Sequence, residues 1–471
     1  MNGGETAVAV TEQAAAAQGE WFGHPKGLYV LFLTEMWERF SYYGMRALLV
    51  LYMTKYLILH ADQGMKVFGY AAVHAFIQWF VGLFGVHDRL SVQALSSQIY
   101  GLYTGFVYFT PFFGGILADR VFGQRKSVYI GGVLMAIGHF LMASQRLFFL
   151  ALLFLILGNG CFKPNISTQV GNLYPEGDHR RDSAFTIFYM GINLGALFSP
   201  LVCGTLGQTI GWDWGFGAAG VGMLAGLCIY HFSRHLLPPD RIMKKAESDD
   251  QAAEQKITAT EWKAIGSLIF LCIINIVFWA VYEQQGNTLQ LWADQHTRWT
   301  FFGVHLPSSW YQTFNPFFII LFAPLLDKFW ERQSARGKEP SSVTKMGIGC
   351  VLLGGAFPIM ILASKVIGQG QGSLLWLVST TWLFTMGELY LSPIGLSFVT
   401  KVSPARMVSM MMGMWFLSSF FGNYLAGFIG GFYGVMTKEA FFTLLTALGI
   451  GAGLIFFAVN KPLRKAIGHD I

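Results

Sequence analysis

Apolar runs of membrane-spanning length recur along the whole chain, and they define its predicted helices. A helix that crosses a bilayer needs about 20 mostly apolar residues, and twelve stretches reach that length. The pattern predicts helices at residues 27–57, 94–118, 126–144, 147–170, 182–210, 214–235, 262–286, 308–328, 344–364, 373–396, 406–431 and 437–460. We therefore expect an all-α membrane protein with twelve transmembrane helices.

A further apolar stretch, Val67–Val86, is 20 residues long, and its length alone would also let it span. With both termini in the cytoplasm, the 32 Lys and Arg residues divide into 22 cytoplasmic, 7 external and 3 within the membrane. That bias is the one that orients membrane proteins, and a crossing at 67–86 would reverse it. We therefore predict an interfacial or re-entrant helical insertion on the external face, between helices one and two.

Composition narrows the class of protein further. Of the 471 residues, 54% are hydrophobic and 12% are charged, whereas a soluble domain has about 25% charged residues. The five cysteines have unrelated spacings, and no nucleophile elbow, metal-binding His pair or phosphate-binding glycine loop is present. We expect no enzyme activity, no cofactor and no metal site. The cytoplasmic loops account for the +6 net charge without nucleic acid.

The chain is predicted to contain two halves that resemble each other. Gly115–Arg120 follows helix two and Ala323–Lys328 follows helix eight, and each ends in an Asp-basic pair at a cytoplasmic turn. The polar stretch between the halves is typical of a solvated linker, and Thr260 before Glu261 suits the capped start of the next helix. This arrangement resembles the major facilitator superfamily. The predicted organisation is a cytoplasmic tail at 1–26, a six-helix bundle at 27–236 with the insertion at 67–86, a linker at 237–260, a second six-helix bundle at 261–460 and a tail at 461–471.

Seven ionisable side chains lie inside the apolar stretches, where each costs about 2.5–3.5 kcal/mol on insertion scales. Such charges usually mark a substrate pathway or a proton relay. Four are carboxylates and three are cations, which leaves one carboxylate free to carry a proton. The seven are Glu35, Glu38, Arg39, Arg46, Lys163, Glu283 and Glu388.

Helix one carries most of this chemistry on one side. With 100° between successive residues, Glu35, Glu38, Arg39, Tyr42 and Arg46 fall within an arc of about 100°, and Tyr43 lies beside it. Such a stripe is not stable against lipid, so we expect it to line a hydrated cavity. The alternative is a structural ion-pair network that holds the bundle together.

Four motifs resemble the proton-dependent oligopeptide transporter (POT, or PTR) family. Helix one carries Glu35–Gly44 (EMWERFSYYG), and helix four carries Gly158–Asn165 (GNGCFKPN). Helix five carries Phe188–Gly195 (FYMGINLG), and helix ten carries Gly387–Pro393 (GELYLSP). The resemblance covers essentially all twelve helices, and four motifs in the right order make chance agreement implausible.

The resemblance implies a monomeric, proton-coupled importer of di- and tripeptides in the inner membrane. It places the peptide carboxylate near Arg39, Arg46 and Lys163, and the peptide amine near Glu388 and Asn315. Proton coupling is implied for Glu35, Glu38, Arg39, Lys163 and Glu283. The other implied peptide contacts are Tyr42, Tyr43, Tyr108, Tyr189, Asn193, Trp279, Ser392 and Trp415.

Gating is also implied by the resemblance. Glu283 matches the helix-seven acid that pairs with Arg46 to close the outer gate, and Asp119 and Arg120 lie in the loop expected to lock the inward-closed state. One departure is Gly101, since animal relatives carry a His at that position, so we expect proton handling to depend on glutamates. The main alternative is the same fold carrying nitrate or an amino acid derivative. Peptide preference, proton stoichiometry, oligomeric state, conformational state and the role of the insertion stay open.

Overall fold

The computed structural model describes residues 19–175, 177–240, 258–404 and 407–467. Residues 1–18 and 468–471 of the predicted tails and residues 241–257 of the predicted linker lie outside the described residues. Almost all regular structure is helical. The described strands form two short antiparallel hairpins, β1 (Glu20–Trp21) with β2 (His24–Pro25), and β3 (Thr300–Phe301) with β4 (Val304–His305).

In these ranges twelve helices have 19 residues or more, close to the predicted positions. They are α1 (Lys26–Tyr52), α2 (Val92–Leu117), α3 (Gln124–Met142), α4 (Phe148–Asn172), α5 (Arg180–Ser199), α6 (Trp212–Phe232), α7 (Ala259–Tyr282), α8 (Phe314–Ala335), α9 (Ser342–Ile367), α10 (Leu375–Val402), α11 (Val408–Gly430) and α12 (Lys438–Ile467). Three are followed directly by π-helical turns, Met53–Leu57 after α1, Ala118–Phe122 after α2 and Pro200–Gly204 after α5.

Short helices connect the long ones. They are Ile58–Asp62, Tyr70–Gly82, Thr205–Thr209 and Thr288–His296, together with the 3-10 turns Gln145–Leu147, Arg234–Leu236, Glu283–Gln285, Ser308–Thr313 and Gly431–Gly434. By length and composition, seven stretches of the described chain are able to cross a membrane. They are Val92–Phe122, Gln145–Asn172, Arg180–Thr209, Trp212–Phe232, Glu261–His296, Ser342–Ile367 and Lys438–Leu463.

The predicted insertion contains the helix Tyr70–Gly82, which has 13 residues. At 1.5 Å per residue it is about 20 Å long, shorter than the hydrocarbon core of about 30 Å. Its length therefore agrees with a segment that does not cross the membrane. Ile77 and Val81 are buried, whereas Phe76 and Trp79 are exposed.

The chain divides into two compact units. The first comprises Met1–Leu48, Lys66–Phe68 and Thr110–Lys245, and the second comprises Leu49–Met65, Gly69–Phe109 and Ala246–Ile471. The C-terminal end of α1, the helix Tyr70–Gly82 and most of α2 thus belong to the second unit.

In the first unit, α1 packs tightly on α5 and α6 because small residues face it. A Cβ on Gly195 of α5 would collide with the Met36 carbonyl oxygen and lie 2.9 Å from the Phe40 nitrogen. A Cβ on Gly222 of α6 would lie 2.7 Å from Phe40 Cδ1. Ser41 also donates to the Ala219 carbonyl at 2.6 Å. Close packing through small residues is typical of membrane helices, and here it holds α1 in a fixed position.

In the second unit, α9 is packed between α10 and α12 in the same way. A Cβ on Gly349 would lie 2.7 Å from the Gly387 carbonyl oxygen of α10. A Cβ on Gly354 would lie 2.5 Å from the Ile450 nitrogen of α12. Both contacts need glycine, since any side chain would push the helices apart.

The start of α7 differs from the prediction by two residues. Thr258 is the N-cap, its hydroxyl accepts from the Glu261 backbone nitrogen at 3.2 Å, and the Glu261 carboxylate accepts from the Thr258 nitrogen at 2.7 Å. This is a capping box, which needs a three-residue spacing. The predicted cap at Thr260 was therefore wrong, because Thr260 is only one residue before Glu261.

Candidate functional site

The centre of the first unit's candidate site is Arg39 on α1. Its Nε and Nη2 atoms both donate to the Glu38 carboxylate, with the Nη2 to Oε1 distance at 2.6 Å. Nε also lies 3.3 Å from Glu35 Oε1, one turn earlier. All three side chains are at most 3% exposed. The stripe predicted on helix one is thus buried inside the protein and does not face lipid.

Helix α4 contributes the next two groups. Asn159 is 1% exposed, and its Oδ1 accepts from Arg39 Nη2 at 3.3 Å. Lys163, one turn further on, is half-buried and within electrostatic range of Glu35. Among the described residues, Glu35 Oε2 has no hydrogen-bond partner although it is buried. A carboxylate oxygen in that state is available to a proton or a ligand donor.

Aromatic rings line the same side of α1. The Arg39 guanidinium carbon lies 4.9 Å from the Tyr42 ring centre and 6.0 Å from that of Tyr43. The Arg46 guanidinium carbon lies 5.9 Å from the Tyr43 ring. Such distances give favourable cation–π contacts. Arg39, Tyr42, Tyr43 and Arg46 therefore form one continuous cluster, as the sequence predicted.

Helix α5 supplies the remaining predicted residues of the first unit. Asn193 is 4% exposed, and its side chain donates to the Tyr189 carbonyl at 3.0 Å. The Tyr189 side chain is 44% exposed. Asn193 is therefore held within its own helix, one turn from Tyr189.

In the second unit, α8 and α10 meet at a carboxylate. Asn315 of α8 donates through Nδ2 to Glu388 Oε2 at 2.9 Å and to Thr385 Oγ1 at 3.0 Å. Asn315 is 8% exposed and Glu388 is half-buried. The sequence placed Asn315 and Glu388 together, and the structure has them in direct contact. Ser392, one turn after Glu388 on α10, is also half-buried.

Glu283 lies where α7 ends and a 3-10 turn begins. The side chain is 1% exposed, and its Oε2 accepts from the Tyr100 hydroxyl of α2 at 3.2 Å. Tyr100 is completely buried. Because Glu283 lies at a helix break, its position is set by the fold of the 283–290 segment as well as by α7.

Large aromatics lie near the same end of α7. The Trp279 ring centre is 6.5 Å from that of Tyr108 and 5.2 Å from that of Tyr282. Within the described chain, Trp279 Nε1 is buried without a hydrogen-bond partner. Trp415 is 5% exposed and packs against Gly395, where a Cβ would lie 2.5 Å from its ring.

The loop between α2 and α3 is held by residues other than those singled out from the sequence. Asp119 is half-buried, Arg120 is exposed, and neither forms an ion pair with another described residue. Instead Arg125 donates through its backbone nitrogen to Asp240 Oδ1 at 2.6 Å, and its guanidinium donates to the Leu237 carbonyl.

The glycine that replaces the histidine of animal relatives has a packing reason. A Cβ on Gly101 would lie 2.6 Å from Gly427 Cα and 2.9 Å from the Asn423 carbonyl oxygen of α11. No side chain fits there while α2 and α11 are this close.

Three polar partners of the site residues were not predicted from the sequence. Asn159, Thr385 and Tyr100 bind Arg39, Asn315 and Glu283 respectively. Asn159 had a usable signal, because it lies one turn before Lys163 in an apolar helix. Thr385 and Tyr100 had none, since both residue types are common in membrane helices.

Comparison with known proteins gives one consistent answer. A sequence model described as the POT family matches residues 125–252 and 241–446. The peptide transporter YePEPT of Yersinia enterocolitica is 35% identical, with 95% of this chain and 96% of that protein covered. The di-/tripeptide transporter of Lactococcus lactis subsp. cremoris is 32% identical, with 95% and 97% covered.

Solved structures agree. A crystal structure of the peptide transporter POT in complex with sulfate has a TM-score of 0.82 and 32% identity, covering 97% of this chain and 99% of that one. A POT family transporter in complex with 5-aminolevulinic acid has a TM-score of 0.79 and 28% identity, covering 95% and 98%. With its family-model match, full-length relatives above 30% identity and four ordered motifs, the chain belongs to the POT family of peptide transporters.

Proposed function

We propose that this chain is a proton-coupled symporter that imports di- and tripeptides by alternating access. In this proposal α1–α6 and α7–α12 form two six-helix bundles joined by a cytoplasmic linker. The chain acts as a monomer in the inner membrane, with both termini in the cytoplasm and the helix Tyr70–Gly82 lying at the external interface. The named relatives that transport peptides support the substrate class.

The main support for the proposal is the position of Arg39, which contacts two glutamates. It bonds to Glu38 and lies next to Glu35, whose second carboxylate oxygen lacks a hydrogen-bond partner among the described residues. Arg39 and Lys163 therefore have a choice between these glutamates and a peptide carboxylate. A proton on Glu35 or Glu38 weakens the internal pairing and releases a cation to the peptide. Loss of the proton to the cytoplasm restores the pairing and expels the peptide.

The other end of the peptide meets Glu388. A short peptide is a zwitterion, and the pair of Glu388 and Asn315 offers a carboxylate oriented by an amide to its amine. Arg39, Arg46 and Lys163 would hold the carboxylate end, with Arg able to form two parallel hydrogen bonds. Trp279 and Trp415 would receive side chains. Arg46 with Glu283 would close the outer gate, and Asp119 with Arg120 would take part in the inner one.

The membrane potential drives such a cycle. A neutral zwitterion and one proton carry one positive charge inward, which gains about 2.3 kcal/mol per 100 mV. The deciding experiment is uptake of labelled dialanine into proteoliposomes with and without an inward proton gradient. We expect accumulation only with the gradient, and acidification of the lumen that depends on the dipeptide.

The alternative is another small solute on the same fold. One structural neighbour was crystallised with 5-aminolevulinic acid, so an amino acid derivative is the alternative substrate to compare. Competition of dialanine uptake by tripeptides, nitrate, 5-aminolevulinic acid and free amino acids separates the two. We expect tripeptides to compete, and nitrate to fail because Glu388 repels an anion. Competition by nitrate but not by tripeptides would contradict the proposed substrate.

A further inference from the structure

One face of α2 carries a ladder of hydrogen bonds to the 283–290 segment, which follows α7, and to α11. Gln93 donates to the Gly430 carbonyl of α11 at 2.9 Å, and Ser97 donates to Asn287 Oδ1 at 2.8 Å. Tyr100 donates to Glu283 one turn further along. Residues 93, 97 and 100 are spaced by four and three, so they share one face of a helix. Ser97 and Asn287 are both completely buried.

Glycines bring the helices close enough for this ladder. Gly101 of α2 faces Gly427 of α11, where a Cβ on either would lie within 2.8 Å of the other's Cα. A Cβ on Gly430 would collide with the Asn287 amide. The hydrogen bonds and the glycine contacts therefore hold the same three segments together.

The insertion at 67–86 also packs against α11. Its Phe80 ring lies 5.2 Å from the Tyr424 ring of α11, and Phe84 lies 5.5 Å from Phe428, one turn further on. The two residues of each pair are about 340 positions apart in sequence, and the spacing of four on both sides means that the end of the helix Tyr70–Gly82 and the turn after it follow α11.

Both ends of the insertion are held in place. Asp62 accepts from the Tyr70 hydroxyl at 2.8 Å and from Arg89 at 3.1 Å. Gln78 donates to the Asp88 carbonyl at 2.9 Å and accepts from the Leu90 nitrogen at 3.3 Å. The insertion is therefore a defined element with a fixed register on α11, and not a loose loop.

We propose that the helix Tyr70–Gly82 and the Gln93–Ser97–Asn287 ladder form an external latch that has to separate from α11 and the 283–290 segment in every transport cycle. The proposal rests on the proposed function, because α2 and the insertion belong to one bundle of that scheme and α7 and α11 to the other. If the bundles rock apart on the external side, each of these contacts has to break.

Crosslinking tests the insertion directly. In a Phe84→Cys/Phe428→Cys variant, a short bifunctional maleimide should join the two positions and abolish uptake. The same reagent should leave uptake by each single-cysteine variant unchanged. The matched control is Phe76→Cys/Trp79→Cys, which joins two exposed positions of the insertion itself, and it should keep its uptake. Full uptake by the crosslinked Phe84/Phe428 pair, or failure of that pair to crosslink, would overturn the latch.

Hydrogen–deuterium exchange tests the ladder without any substrate. Removing one hydrogen bond with Asn287→Ala should raise exchange of the 283–296 amides about fivefold, because opening becomes easier. Asn172→Ala is the control, since it removes a hydrogen bond to Gln124 at an exposed position, and it should leave that segment unchanged. Unchanged exchange in Asn287→Ala would contradict the proposal.

These experiments distinguish failure of the latch from failure of the proposed function. If the unmodified protein takes up no peptide but Asn287→Ala still raises exchange, the substrate assignment is wrong and the latch stands. If peptide uptake is normal and neither the exchange nor the crosslink behaves as expected, the latch is wrong and the proposed function stands.

Discussion

Arg39 binds Glu38, its neighbour in the chain, through two guanidinium nitrogens, Nε and Nη2. Adjacent residues on a helix point about 100° apart, so this pairing requires both side chains to bend toward each other. Bidentate arginine–carboxylate contacts are among the stronger ones in proteins. Glu38 is completely buried, so this contact is not weakened by competing solvent.

The Glu38→Gln variant should lose peptide uptake driven by a proton gradient but keep exchange of peptide across the membrane. The amide cannot take up and release a proton, so we expect accumulation driven by a proton gradient to disappear. Exchange of internal for external dialanine should remain measurable in the same proteoliposomes. Glu331→Gln is the control, since Glu331 is exposed and near the end of α8. Gradient-driven accumulation at normal rates in Glu38→Gln would contradict the assigned role.

Asn315 should set the affinity for the substrate amine by orienting Glu388. Loss of a hydrogen bond to a charged group costs about 1.5–3 kcal/mol, so Asn315→Ala should raise the KM for dialanine at least tenfold. Thr385→Val removes the other acceptor of Asn315 and leaves the Glu388 contact, so its effect should be smaller. Both values come from initial uptake rates at saturating gradient. Equal KM values for Asn315→Ala and the unmodified protein would rule out this orienting role.

Gly195 should be intolerant of any side chain. An added Cβ collides with the α1 backbone at Met36, and overpacking of this kind costs about 1–3 kcal/mol. We therefore expect Gly195→Ala to lower the unfolding temperature by several degrees and to weaken uptake through displacement of Arg39. Gly217→Ala is the matched control, because nothing lies within 4 Å of a Cβ there. Thermal unfolding in detergent, followed by tryptophan fluorescence, measures both variants.

Asp178 should remain ionised in moderately acidic solution. Its hydrogen bonds from the Arg180 side chain and then from the Arg180 backbone lower the pKa of the Asp178 carboxyl to about 2. A lowered pKa means that the stabilisation is complete above the ordinary value and is lost as the pH falls through about 2. We expect Asp178→Asn to lower the unfolding temperature by about 1–2 °C.

This decrement should be the same at pH 7 and at pH 5, and it should shrink as the pH falls from the ordinary pKa of the carboxyl toward about 2. Asp88→Asn, at an exposed position without an ion pair among the described residues, provides the comparison. A decrement that does not change between pH 5 and about pH 2 would mean that the Asp178 carboxyl titrates at its ordinary pKa in the folded protein.

The sequence by itself determined the helices and the chemistry that they carry. The length of the apolar runs predicted helices close to the twelve long ones of the described residues. The stripe from Glu35 to Arg46 was predictable as a buried face, since charges cannot face lipid. The family resemblance placed Asn315 and Glu388 near the same end of a bound peptide, and the structure adds that the two side chains bond to each other.

Only the tertiary structure decided the contacts between distant residues. Asn159 lies 120 positions from Arg39, and Gly101 and Gly427 meet because two helices approach without side chains between them. The role of Asp240, which binds Arg125 where the sequence indicated Asp119, is equally invisible in the sequence. Local patterns report what one helix prefers, whereas the partner of each buried group depends on which helices pack together. The cap of α7 at Thr258, by contrast, was predictable from the sequence, because Thr258 lies three residues before Glu261.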